Sequence, residues 1–255
     1  MNDEKLNFMI NTLLDDMPEY KQDAGKIPDK KILLRALMNL RPPMKLDEKF
    51  LQVQDEFLSH ERDEKGVIDA ENLPEILPGI SLWQGDITRL KVDAIVNAAN
   101  STLLGCFVPL HRCIDNAIHS AAGLQLRDEC FEIMKAQNHP EPTGQAKITH
   151  GYNLPAKFVI HTVGPIITGD LTQRDRELLR SCYVSCLELA EKKNLSSIAF
   201  CCISTGEFHF PNDEAAKIAV ETVKKFMSEN HSVKKVVFNV FKDLDFELYR
   251  RELQA

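Results

Sequence analysis

The chain contains no run approaching the roughly 18 apolar residues of a membrane span. Its first twenty residues, MNDEKLNFMINTLLDDMPEY, are acidic and amphipathic and lack the basic start and apolar core of a secretory leader. No membrane association is expected, and a cytoplasmic location is. Positive charge is also short: 31 Lys and Arg stand against 38 Asp and Glu, a net charge of −7, with no basic cluster beyond a pair or a short mixed run. Capture of nucleic acid needs a basic face, so that class is excluded. An anionic ligand would have to be held by local backbone N–H groups. Seven cysteines, an odd number, argue against a disulfide framework. Cys182 and Cys186, one turn apart on an apolar face, and Cys201 and Cys202, in an apolar strand, read as buried thiols. Internal repeats and low-complexity segments are absent as well.

What remains is globular: 255 residues, 44% hydrophobic and 27% charged. Residues 1–75 read as a helical extension. Leu6, Met9, Ile10, Leu13, Leu14 and Met17 repeat at helical spacing up to Pro18. Leu33, Ala36, Leu37 and Leu40 form a second stripe, and Phe50, Leu51, Phe57 and Leu58 a third, capped by Asp47. From residue 76 to 255 the pattern is different. ISLWQ, AIVNAAN, FVIHTVG, SIAFCCIST and KKVVFNVF are strand-length apolar runs, and AKITHGY is a weaker alternating one. Helical stripes lie between them, at Ala117–Gln137, Leu178–Ala190 and Ala215–Met227. Such alternation predicts a mostly parallel sheet covered on both faces.

Chemistry concentrates between residues 97 and 123, NAANSTLLGCFVPLHRCIDNAIHSAAG. A buried strand hands over to a helix there, the place where open α/β sheets keep their ligands. Cys106, His111 and Cys113 are separated by four residues and by one, so a loop can fold all three side chains onto one ion. Two thiolates and an imidazole favour zinc, one per chain. Three protein ligands leave a fourth position open, as catalytic sites do, whereas a structural site needs a fourth ligand, for which His139, His150 and His161 are candidates. Asp115 follows two residues after Cys113 and could also serve as a helix N-cap.

Four separated pieces, GDIT (85–88), NAAN (97–100), DNAIH with AAG (115–123) and ISTGEFHFP (203–211), together resemble the signatures of macrodomains, in the same order and spacing over residues 80–253. GCFVPLHRCIDNAIH, in place of the usual glycine string, resembles the zinc-containing microbial subclass, some of whose members are encoded beside sirtuin-type ADP-ribosyltransferases. The resemblance implies a three-layer α/β/α fold with a mixed, mostly parallel central sheet, preceded by a helical extension. It implies ADP-ribose as ligand: Asp86 and the N–H of Ile87 at adenine, with Phe241 stacking or packed in the core. The turn Ser204, Thr205, Gly206, Glu207 and Phe208 would hold the diphosphate, with Glu207 pointing away from it. Asn100, on the distal ribose, and Asp115 would be the catalytic pair, while Asn97 and His119 would be structural.

The activity implied is hydrolysis of mono-ADP-ribose from O-linked protein side chains, aspartate or glutamate foremost, by a monomer. Its partners would be ADP-ribose, the modified protein and a sirtuin-type transferase system. The other reading is a non-catalytic ADP-ribose reader with a structural zinc.

Overall fold

The computed structural model describes residues 3–229 and 232–255. Leu6, Met9, Ile10 and Leu13 line one face of α1 (Asp3–Asp16), buried as their spacing requires. After Pro18 and a single turn, α2 (Lys21–Ala24), comes α3 (Lys30–Leu40), whose first N–H groups donate to the Asp29 carboxylate. Asp47 caps α4 (Glu48–Lys65) in the same way, and Gly66 ends it at φ +78°. Met9, Leu13, Leu34, Leu37 and Phe50 form a core of their own, which Leu124 from a later helix completes.

β1 (Ile68–Asp69) pairs in parallel with β4 (Leu90–Lys91), apart from the main sheet. That sheet comprises β2 (Glu75–Leu77), β3 (Ile80–Gln84), β5 (Ala94–Ala98), β6 (Ala146–His150), β7 (Phe158–Thr162), β8 (Ser197–Phe200) and β9 (Lys235–Val240). Their order is β2-β3-β9-β8-β5-β7-β6. The five inner strands are parallel, and β2 and β6 run antiparallel at the edges. Every residue of β8 and β9 is buried, which explains why these strands read as mainly apolar runs, with Ser197, Lys235 and Asn239 as their buried polar members.

Five helices complete the body: α5 (Ile114–Ala122), α6 (Leu124–Gln137), α7 (Gln173–Lys192), α8 (Asn212–Met227) and α9 (Asp243–Gln254). The chain moves one way across the sheet from β5 to β7 and the other way from β7 through β8 to β9. Right-handed crossovers therefore place α5 and α6 on one face and α7 and α8 on the opposite one. α9 packs beside α8 and over β3, while α3 and α4 rest on α5. The expected three-layer macrodomain-like arrangement and helical extension are both present.

Two local expectations are corrected. β8 stops at Phe200, so Cys201 and Cys202 follow the strand rather than lie in it, although Cys201 is buried as expected. The C-terminal helix α9 was not foreseen from the pattern. It buries Asp245, Tyr249 and Leu253 while leaving Leu244 59% exposed, so its inner stripe carries a charge and its outer face a leucine.

Candidate active site

The carboxyl ends of β3, β9, β8 and β5 lie side by side, and each is followed by a segment of the candidate site. Asp86 follows β3, Phe241 follows β9, the turn 204–208 follows β8, and the stretch from Asn100 to Asp115 follows β5. Strands stand about 4.8 Å apart, so these four positions span about 14 Å. That suits an extended ligand.

At the β5 end, Asn100 donates from Nδ2 to the Gly105 carbonyl at 3.0 Å, while its Oδ1 accepts from the Thr102 N–H at 3.0 Å. This folds the chain back into a loop through left-handed Leu103 and Gly105 (φ +58° and +80°). Gly105 cannot carry a side chain, because a Cβ there would stand 2.9 Å from the His119 ring. The loop then brings Cys106, His111 and Cys113 together, with ligand atoms all within 4.8 Å of one another. Cys106 Sγ lies 3.6 Å from His111 Nδ1. Metal–ligand distances of about 2.3 Å to sulfur and 2.0–2.1 Å to nitrogen, at a tetrahedral angle, require a separation of about 3.6 Å. The donor set fits zinc in chemistry and in spacing. The far nitrogen of the same ring, Nε2, faces Glu207 Oε1 at 3.6 Å, the carboxylate–imidazole arrangement that orients metal-bound histidines. None of the proposed fourth ligands joins the group: His161 is engaged by Asn97 and Thr149, His150 by Glu129, and His139 by the Pro140 carbonyl.

Asp115 is 5% exposed and lies inside α5 rather than at its cap. The cap is Cys113, whose sulfur accepts from the Asn116 N–H at 3.4 Å. Asp115 Oδ1 accepts from Asn97 Nδ2 at 2.8 Å, and Oδ2 from Asn100 Nδ2 at 3.4 Å. Burial pushes the Asp115 carboxyl up to about 6, against the Asn97 donor and the Arg127 charge. Asn97 is fully buried and spends its second N–H on His161 Nδ1 at 3.1 Å, leaving the other ring nitrogen to Thr149 at 2.9 Å. This network fixes the Asp115 carboxylate in place. His119, one turn on, has Nε2 3.5 Å from Asp115 Oδ1, and burial holds its ring strongly toward the neutral form.

At the β8 end the chain forms a compact turn. Ser204 is left-handed (φ +65°), and its carbonyl accepts from the Phe210 N–H at 3.0 Å. Among the described residues, the N–H groups of Thr205, Gly206, Glu207 and Phe208 donate to nothing within the protein. Four consecutive open amides leave donors available to an anion. The dipole of α8 adds less than its position suggests, since Asp213 and Glu214 occupy the first turn. The Glu207 side chain is 68% exposed and reaches toward His111.

At the β3 end, Asp86 Oδ1 caps a short turn, accepting from the Thr88 N–H at 3.0 Å and the Thr88 hydroxyl at 2.7 Å. Ile87 is buried, so its side chain belongs to the core. Phe241 is 74% exposed and therefore not part of the core. Gln84 Nε2 donates to its carbonyl at 3.3 Å, joining the β3 and β9 ends.

Sequence reasoning missed three residues that shape this site. Gly164 follows β7; a Cβ there would stand 1.9 Å from the Ser204 hydroxyl, so only glycine lets the turn 204–208 settle. The sole signal was the small residue ending FVIHTVG. Arg127 on α6 donates to the carbonyls of Leu104 and Met38 at 2.7 and 3.0 Å, with its guanidinium 4.4 Å from the centre of the Phe107 ring. Asn39 on α3 is 1% exposed and looked like one polar position on an apolar helix.

Comparison with known proteins agrees with this geometry. Residues 96–219 match the Macro domain family. A Treponema medium protein named protein-ADP-ribose hydrolase is 50% identical over 97% of both chains. Among solved structures, a Trypanosoma brucei macrodomain in complex with ADP-ribose is 33% identical, covers 84% of this chain and 92% of its own, and has a TM-score of 0.66. An Oceanobacillus iheyensis macrodomain variant with ADPR is 40% identical, with coverage of 71% and 95% and a TM-score of 0.64. With full-length identity of this order and the same layered sheet, the chain belongs to the macrodomain family.

Proposed function

We propose that this chain is a zinc-dependent protein-ADP-ribose hydrolase that removes mono-ADP-ribose from O-linked side chains, aspartate and glutamate foremost. Residues 76–255 hold the ligand and residues 1–75 form the extension. Adenine sits at Asp86, the Ile87 N–H and Phe241. The diphosphate lies over the amides of Ser204 to Phe208, and the distal ribose lies against Asn100 and Asp115. The names of the relatives support the activity, and the line of strand ends supports the order of the subsites.

The observation that carries the zinc assignment is the convergence of Cys106, His111 and Cys113 within 4.8 Å, just before Asp115, with Cys106 Sγ and His111 Nδ1 at the 3.6 Å separation that a tetrahedral ion requires. Held by Cys106, His111 and Cys113, zinc would supply a Lewis acid to the reaction. Asn100 orients that ribose through its amide. Asp115, held by Asn97, orients the attacking water and accepts its proton as the bond from ribose C1″ to the side-chain oxygen breaks. Free ADP-ribose and the unmodified carboxylate are the products.

Seven free cysteines support residence in a reducing cytoplasm, and among the described residues no helix is long and apolar enough to cross a membrane. The assignments of a monomer and of a sirtuin-type transferase as the source of substrate rest on the sequence resemblance alone. The test is release of ADP-ribose from aspartate-, glutamate-, serine- and arginine-modified peptides, followed by mass spectrometry. Release from the carboxylate-linked peptides supports the reading. Tight binding without release from any peptide would make the chain a reader instead.

A further inference from the structure

The loop bearing Cys106, His111 and Cys113 has little apolar burial to fix its shape. Phe107, Val108 and Leu110 are 37%, 57% and 37% exposed. It also contains a strained position: Leu110, directly before His111, is left-handed at φ +59°, a conformation that side chains other than glycine and asparagine rarely adopt. Something outside the loop must hold it there.

The holder is on the N-terminal extension. The Leu110 N–H donates to Asn39 Oδ1 at 2.9 Å, and Asn39 Nδ2 donates to Ser120 Oγ on α5 at 2.9 Å. Asn39 is 1% exposed, so its amide is fixed between α3 and the body and its oxygen is aimed at the loop. A second tie runs beside it: Arg35 Nη2 donates to Asn116 Oδ1 at 3.1 Å, and Asn116 Nδ2 donates to the Val108 carbonyl at 3.1 Å. Arg127 closes the far side by joining the Leu104 carbonyl to that of Met38.

We propose that Asn39 is a positioning residue for the metal loop, so that the extension helps to build the zinc site rather than only covering the body. This rests on the zinc reading above. By capturing the Leu110 N–H, Asn39 stabilises the left-handed turn that sets the His111 ring against Cys106. A preformed set of three ligands binds an ion more tightly than a loop that must be ordered first.

The experiment uses the full chain as wild type and as Asn39→Ala, Asn39→Leu and Ser120→Ala. Leucine keeps the branched shape and heavy-atom count of asparagine, though it is bulkier, and removes both hydrogen bonds. Zinc affinity is measured by competition with a chromophoric chelator, and ADP-ribose affinity by calorimetry in saturating zinc, which also reports that each variant is folded. Both Asn39 variants should bind zinc about tenfold more weakly, within the range seen when groups that orient metal ligands are removed. Their ADP-ribose affinity should stay within about twofold of wild type, since residue 39 lies away from the adenine and diphosphate subsites. Ser120→Ala frees the far side of the Asn39 amide but leaves its Oδ1 able to accept the Leu110 N–H, so zinc affinity should fall clearly less than in the Asn39 variants. Unchanged zinc affinity in a folded Asn39 variant overturns the inference, as does an equal loss in Ser120→Ala. A wild-type chain that binds no zinc would defeat the functional reading itself, and this inference with it.

Discussion

In the proposed mechanism Asp115 carries the largest burden of any single residue: a carboxylate 5% exposed, placed between two asparagine amides and two residues from Cys113. Asp115→Asn should retain one zinc per chain yet lower turnover by about 10²–10⁴-fold, the usual worth of a positioned acid–base group. Metal analysis beside single-turnover kinetics checks both halves, and loss of zinc with loss of rate would make Asp115 structural instead. Gly164→Ala places a methyl 1.9 Å from the buried Ser204 hydroxyl. It should displace the turn 204–208, destabilise the fold by about 1–3 kcal/mol, and weaken ADP-ribose binding in calorimetry. Asp86→Ala should cost about 1.5–3 kcal/mol of ADP-ribose affinity, roughly ten- to a hundredfold, and unchanged affinity would remove Asp86 from the site. Cys106, His111, Cys113 and Asp115 were legible in the sequence because they sit in one short stretch whose spacing alone brings them together. Gly164 and Asn39 were not, since each acts on a residue 40 or more positions away and neither carries chemistry of its own.

At the scale of elements, Asp93 shows how one carboxylate fixes three chain segments at the amino end of the sheet. It accepts from Lys157 Nζ at 2.7 Å and from the Ser196 N–H at 2.8 Å, just before β7 and β8. Burial alone would raise its carboxyl, but the Lys157 and Ser196 donors outweigh it and hold it down at about 2. The unfolded carboxyl titrates near 3.9, so the unfolded chain binds the proton first as pH falls. The stabilisation is therefore complete above about pH 4 and is lost between there and about pH 2. Asp93→Ala should destabilise the protein at pH 7 by about 1–3 kcal/mol and make stability less dependent on acid, as measured by urea unfolding at pH 3 to 7. A variant as acid-sensitive as wild type would contradict this. The inner strands and three of the four extension helices, α1, α3 and α4, were legible because apolar runs and stripes report burial directly, whereas the single turn of α2 buries nothing. α9 was not, because its buried face includes Asp245, which accepts from Asn212 Nδ2 at 2.6 Å. A charged side chain on the inner stripe looks like solvent-facing sequence.

At the scale of the whole molecule, the architecture divides the work. In the proposed reading, parallel strand ends set out subsites for adenine, diphosphate and ribose in a row, while the extension holds the loop of Cys106, His111 and Cys113 through Asn39 and Arg35. The two cores are distinct, and Leu124, at the start of α6 in the main body, packs into the core of the extension. A chain beginning at residue 76, if soluble, should thus retain ADP-ribose binding but hold zinc more weakly than the full chain. The layered fold was legible from the alternation of strands and helices. The dependence of the metal loop on residues 35–41 was not, because it arises from tertiary contacts that no local pattern records. The most direct test of zinc-dependent hydrolysis is turnover of aspartate-ADP-ribosylated peptide by metal-stripped protein, with ADP-ribose binding followed in parallel. The account predicts that turnover falls at least about a hundredfold on stripping, within the range expected for loss of a catalytic metal's charge stabilisation. Turnover should return with one equivalent of zinc, while the stripped protein still binds ADP-ribose. Undiminished turnover by metal-free protein in excess chelator would contradict it.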